Sequence, residues 1–297
     1  ISIDGGEGQN SIGVFDRLAG VTRSYDIDRS LLDGAYIQRS GSPHRIRWTD
    51  SIGLVTLSGT HAGASAFVQR VESNDFTFSG GDGNDIVQIA FSLANVSDAI
   101  KSNVAFIGGA GTNALNIWDI NTPGPSDRIF THTTLLPTPT SLLYWVPGGL
   151  ITASVQYREV QLTTINAGPA TNDFNLQGLV NGAELRVNGG ANINRFEVAG
   201  MNAVRNVMRG KLQLNGLGTS DSFTMSDNPS APLNGFTFSP TESSDRKVTT
   251  RFVSKASSHS HSRPHCLTTR STFKASRLAC LPASILERGL TSYASRR

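Results

Sequence analysis

The residues best placed to do chemistry lie in one short run, Gly80-Gly81-Asp82-Gly83-Asn84-Asp85-Ile86-Val87-Gln88. The run fits the spacing G-G-x-G-x-D-x-U-x. Its glycines let the backbone turn, and Asp carboxylates join turn carbonyls as the hard oxygen ligands that Ca²⁺ prefers. Asp82 and Asp85, on the turn made by Gly80, Gly81 and Gly83, are therefore the candidate calcium ligands, and Ca²⁺ is the one cofactor the pattern admits. Such an ion sits between neighbouring copies of the turn at nonapeptide spacing. The other copies here are distant, GGEGQNSIG at 5–13 and GGAGTNALN at 108–116, and carry Asn10 and Asn113 where Asp belongs. A structural turn is the plainer expectation.

Other reactive side chains are scattered. Asp16, Asp119 and Asp227 occupy equivalent places in three similar stretches, which suits a strand-end residue better than a catalytic acid, since a catalytic group occurs once. His61 and His44 stand alone in turns. His259, His261, His265 and Cys266 cluster in SSHSHSRPHC, a run able to chelate transition metals opportunistically. The chain has no G-x-S-x-G, no phosphate-binding glycine loop and no C-x-x-C. It is expected not to be an enzyme, and no catalytic residue is assigned. Trp48, Trp118 and Trp145 fit core or strand-edge packing, with sugar stacking as the alternative.

The elements that must hold these residues repeat. ISIDGGEGQNSIGVFD at 1–16, VAFIGGAGTNALNIWD at 104–119 and LQLNGLGTSDSFTMSD at 212–227 align with a period of about 105 residues. FTFSGGDGNDIVQIA at 76–90 matches LRVNGGANINRFEVA at 185–199, and VTLSGTHAGASAFVQ at 55–69 matches VQLTTINAGPATNDFNLQ at 160–177. Each element reads as strand, glycine turn, strand, with apolar residues alternating before the turn (Phe76, Phe78) and after it (Val87, Ile89). Residues 25–37 read as a hairpin turning at Leu32-Asp33-Gly34. The equivalent stretch 128–158, with Pro137, Pro139 and Pro147, reads as an irregular excursion. One such element cannot bury its apolar side alone, so stacking is the economical solution.

The alternating strand, Gly-Gly-x-Gly-x-Asn/Asp turn and strand of residues 1–240 resembles the glycine-rich repeat regions of large bacterial exoproteins and adhesins. It is also distantly similar to the repeats-in-toxin (RTX) family. The resemblance implies export, an extracellular or cell-surface location, and a spacer, adhesive or scaffold role. Its partners would be cell-surface glycans or other repeats of the same parent protein. The expected fold is all-β, a β-solenoid of glycine-turned strands with a disordered C-terminal tail; tandem small β-sandwiches are the alternative. Functional alternatives are a calcium- or carbohydrate-binding module and a glycan-cleaving β-helix enzyme.

Charge divides the chain. Residues 1–242, the β-repeat domain, carry 15 basic and 21 acidic side chains, a net of −6; residues 243–297 carry 11 basic ones against Asp245 and Glu287, a net of +9. The basic pI belongs to the tail and is no nucleic-acid signature for the folded part. The Ser-rich tail, which holds Cys266 and Cys280, reads either as disordered or as an out-of-frame translation. No apolar run approaches the roughly 20 residues of a membrane-spanning helix. Starting at Ile1 with no initiator Met or signal peptide, the sequence reads as a segment of something longer.

Overall fold

The computed structural model describes residues 1–16, 20–30, 34–91, 96–121, 128–135, 140–147, 153–198, 208–218, 220–227 and 249–254. The chain opens with β1 (Ser2–Ile3) and β2 (Asn10–Phe15), followed by β3 (Arg23–Ser30), β4 (Gly34–Arg39) and β5 (Arg45–Trp48). It continues through β6 (Ile52–Ser58), β7 (Ala64–Val68), β8 (Asp75–Gly81), β9 (Ile86–Ile89) and a single helical turn, α1 (Val96–Ala99). Next come β10 (Val104–Gly109), β11 (Ala114–Asp119), β12 (Arg128–Leu135), β13 (Thr140–Pro147) and β14 (Ser154–Arg158). Last are β15 (Leu162–Ala167), β16 (Asn172–Leu176), β17 (Glu184–Asn188), β18 (Asn194–Val198), β19 (Lys211–Asn215), β20 (Ser222–Asp227) and β21 (Thr249–Ser254).

The fold is all-β with largely parallel sheets. Sheet A runs β1-β5-β4-β3-β7-β9-β11-β15-β17-β19; sheet B runs β2-β6-β8-β10-β14-β13-β12-β16-β18-β20-β21. Outside two meanders, successive strands up to β20 alternate between the sheets, so each strand's parallel neighbour is the next strand but one. In sheet B, Val55 lies opposite Phe76 and Phe76 opposite Val104; further on, Phe174 lies opposite Phe196 and Phe196 opposite Phe223.

Period-2 sequence patterning produces the core directly. In β10 and β11 every second residue is fully buried, including Phe106, Leu115 and Ile117, while the residues between face outward. Each sheet therefore has a dry face and a wet one, which is unusual for parallel ladders. Inside, aromatic rings stack from strand to strand: Phe130 on Phe174 at 5.4 Å between centroids and Phe174 on Phe196 at 5.0 Å.

The hairpin expected over 25–37 is present as β3–β4, with Ile27 opposite Ile37. The excursion expected over 128–158 differs from its expected irregularity. β12, β13 and β14 form an antiparallel meander that stays in sheet B, as β3–β4–β5 does in sheet A. Pro147 is tolerated because it ends β13, where β14 no longer runs alongside. The three long sequence matches fall on β1–β2, β10–β11 and β19–β20. The first and third start in sheet A and the second in sheet B. β21 lies within the segment expected to be disordered and pairs in parallel with β20, so the ladder extends into it; residues 255–297, with the His cluster and both cysteines, lie outside the described residues.

Candidate functional site

The turn between β8 and β9 is built from close backbone approaches. Gly81 has φ of +119°, and a Cβ on Gly83 would lie 2.1 Å from the backbone nitrogen of Gly63 in the neighbouring turn. Behind the turn sits Asp85, fully buried, whose Oδ1 accepts the Ala64 N–H at 2.7 Å. Its Oδ2 is buried without a hydrogen-bond partner. Desolvation, opposed by the Ala64 hydrogen bond, pushes its carboxyl up to about 6.

Equivalent turns carry an amide at this place, and the amide closes the turn. Asn113 Nδ2 donates to the carbonyls of Gly109, Ala110 and Glu159; Asn194 Nδ2 donates to Gly190 and Asn192; Asn172 Nδ2 donates to Gly168 and Ala170. Asn10 does the same with Gly6 and Gly8. The glycine five residues upstream leaves room for this side chain: a Cβ on Gly108 would lie 2.4 Å from Asn113 Nδ2, and one on Gly80 would lie 2.0 Å from Asp85 Oδ2. Asp85 thus holds a carboxylate where Asn10, Asn113, Asn172 and Asn194 hold a donor; Asp221, at the same place after Gly216, is also a carboxylate, but both its oxygens accept, from Asn194 and from the Gly218 N–H.

The structure does not bring the two candidate calcium ligands to one point. Asp85 is sealed beneath the turn; Asp82 is exposed and accepts from His61 Nδ1 at 2.7 Å. Among the described residues no group of three or more His, Cys, Asp or Glu side chains is placed to hold a metal. His61 is an exposed turn histidine, as expected, with Asp82 as its partner. His44 sits exposed in a turn, its N–H donating to Ser42 Oγ at 3.2 Å.

The repeated aspartates have local duties. Asp16 accepts the Tyr25 hydroxyl at 2.7 Å, and buried Asp119 accepts the Val96 N–H that begins α1 at 3.1 Å. Asp227 ends β20, its side chain outside the described set. Of the tryptophans, Trp48 belongs to the core and donates from Nε1 to Asn74 Oδ1 at 3.3 Å. Trp118 lies on the outer face of sheet A. Exposed Phe91 meets it edge-on at 5.5 Å and reaches Phe67 of β7 at 6.3 Å. Ala90, with φ of +56°, turns the chain immediately before Phe91. The side chain of Trp145 lies outside the described residues.

Two features escaped sequence reasoning. One is an outward amide ladder on sheet A: Asn188 Nδ2 donates to Asn166 Oδ1 at 2.8 Å and Asn215 Nδ2 to Asn188 Oδ1 at 2.7 Å. Its only sequence signal is an Asn at the same strand position in three elements. The other is a buried polar pair inside sheet B. His132 Nδ1–H donates to the Gly178 carbonyl at 2.7 Å, leaving Nε2 to accept from the Tyr157 hydroxyl. Burial lowers the His132 imidazole to about 4 and raises the Tyr157 phenol to about 12.

No family model, curated protein or solved structure matches this chain. No helix among the described residues is long and apolar enough to cross a membrane.

Proposed function

We propose that this chain is a non-enzymatic, structural or adhesive repeat segment of an exported bacterial surface protein, folded as a β-solenoid. The observation that carries the reading is the alternation of successive strands between two parallel ladders. That alternation is how one chain winds around its own core, coil on coil. Tandem sandwiches would call for antiparallel pairs, which among the described residues occur only within β3–β5 and β12–β14. The turn amides spend their polar groups on their own turns and on the turns beside them, which suits a scaffold.

Cysteine cross-linking tests the winding. Gln88 and Asn116 face outward on adjacent parallel strands in register. In a chain with Cys266 and Cys280 changed to Ser, Gln88→Cys with Asn116→Cys is expected to oxidise readily to an intramolecular disulfide. A pair whose thiols stay free under mild oxidant would sink the coil model. Assays of reducing ends released from a panel of polysaccharides are expected to stay at background; turnover would overturn the non-enzymatic reading.

A second reading, a carbohydrate-binding module, is favoured by the outward cluster of Phe67, Phe91 and Trp118 beside a neutral amide row. Aromatic faces stack on sugar rings while amides meet hydroxyls. Retardation in gels containing neutral and acidic polysaccharides, compared between wild type and Trp118→Ala, tests this reading.

A further inference from the structure

The outer face of sheet A over β15, β17 and β19 presents three rows across the strands. Register sets Leu162, Glu184 and Lys211 in the first, Thr164, Arg186 and Gln213 in the second, and Asn166, Asn188 and Asn215 in the third. The third row continues onto Trp118, which pairs with Asn166. Beside the first row runs an open groove of about 480 Å³, bordered by Gln161, Glu184, Arg209 and Lys211, with Gly182 and Gly210 adding no side chain.

The face is locally cationic. In these rows two cations, Arg186 and Lys211, stand against one carboxylate, Glu184, whereas residues 1–242 as a whole are acidic. Glu184 holds both cations at once, Arg186 Nε at 2.6 Å and Lys211 Nζ at 3.1 Å. Those contacts, Arg186 first, hold its carboxyl below the usual range. Each ladder amide still has a hydrogen and a lone pair to offer, the complement of a hydroxyl-rich ligand.

We propose that this face binds an anionic polysaccharide, a glycan bearing carboxylates, laid across the strands. Lys211 and Arg186 take its carboxylates; Asn166, Asn188 and Asn215 take its hydroxyls. Charge complementarity selects an acidic chain over a neutral one, and the amide row meets the hydroxyls that such a glycan carries. Adjacent strands lie about 4.8 Å apart, so the amides recur at a pitch close to the repeat of an extended glycan. This inference rests on the carbohydrate-binding reading and names its ligand class.

Affinity electrophoresis of the full chain tests it, with polygalacturonate, neutral dextran or poly(dT) in the gel. Polygalacturonate is expected to retard the wild type and dextran to leave it free. Lys211→Ala is expected to weaken retention about threefold to tenfold. Glu184→Gln, which frees two cations from their internal partner, is expected to tighten it. Equal retention by dextran, stronger retention by poly(dT), or no response to either variant would each overturn the proposal. Both changes are at the surface, and the Gln88–Asn116 cross-link made in the same backgrounds reports on the fold. An intact cross-link without polygalacturonate binding defeats this inference alone; a lost cross-link in the parent chain defeats the scaffold reading.

Discussion

At the scale of single residues, two buried ionisable groups pull the stability profile in opposite directions. Asp85 is raised from its ordinary value of 3.8 to about 6, so the folded state holds its proton more tightly than the unfolded chain does. Its contribution is complete below about pH 4 and is lost as pH rises through 6, a change of about 3 kcal/mol. His132 is lowered from 6.5 to about 4; its contribution is present above pH 6.5 and is lost as pH falls towards 4. The two ramps overlap and largely cancel. The wild type is therefore expected to show a shallow profile of urea midpoint between pH 4.5 and 7. Asp85→Asn installs the amide used by Asn113 and Asn194, and should raise the midpoint at pH 7 and expose a stability that climbs with pH. An Asp85→Asn profile with the same pH dependence as the wild type would show that Asp85 has no such role.

At the scale of elements, the glycines divide into those that backbone contact demands and those it does not. A Cβ on Gly83 collides with the Gly63 backbone, whereas one on Gly20 meets nothing within 4 Å. Gly83→Ala is expected to cost about 1–3 kcal/mol and Gly20→Ala less than about 0.5 kcal/mol, as read by thermal melting of the two variants. Phe174, stacked between Phe130 and Phe196, is expected to cost about 3–5 kcal/mol when cut to Ala. Much of this level was legible in the sequence. Alternation at Phe76 and Phe78 and then at Val87 and Ile89 marked β8, a turn and β9, because a half-buried strand leaves a period of two. The amide ladder was not legible. Asn166, Asn188 and Asn215 recur at uneven intervals, and their partnership depends on register set by turn lengths elsewhere. Where the side chains of the pattern at 80–88 lie was not legible for a related reason. Spacing shows which residues share a turn, but not that Asp82 leaves it for His61 while Asp85 goes beneath.

At the scale of the whole molecule, the sequence period and the stacking period differ. Parallel neighbours are offset by 21 residues from Val55 to Phe76 and 28 from Phe76 to Val104, and by 22 and 27 in the later run through Phe174, Phe196 and Phe223. The longer period arises because each run of alternating strands also includes one antiparallel meander. An odd number of crossings then separates matching stretches, which is why β10 lies in the opposite sheet from β1 and β19. In such a stack each strand is supported by the two beside it, so stability should fall towards the ends. The packing has that gradient: Phe78, Phe106, Leu115 and Ile117 are fully buried, while Ile3, Ile12, Val14, Leu212 and Leu214 are only partly covered. Native-state hydrogen exchange is therefore expected to find the slowest amides in β8 to β11 and β15 to β17. Those of β1, β2 and β19 should exchange by local opening, at least about tenfold faster. Uniform protection from β1 to β19 would mean that the chain unfolds as one cooperative unit and that nearest-neighbour stacking is not what holds it together.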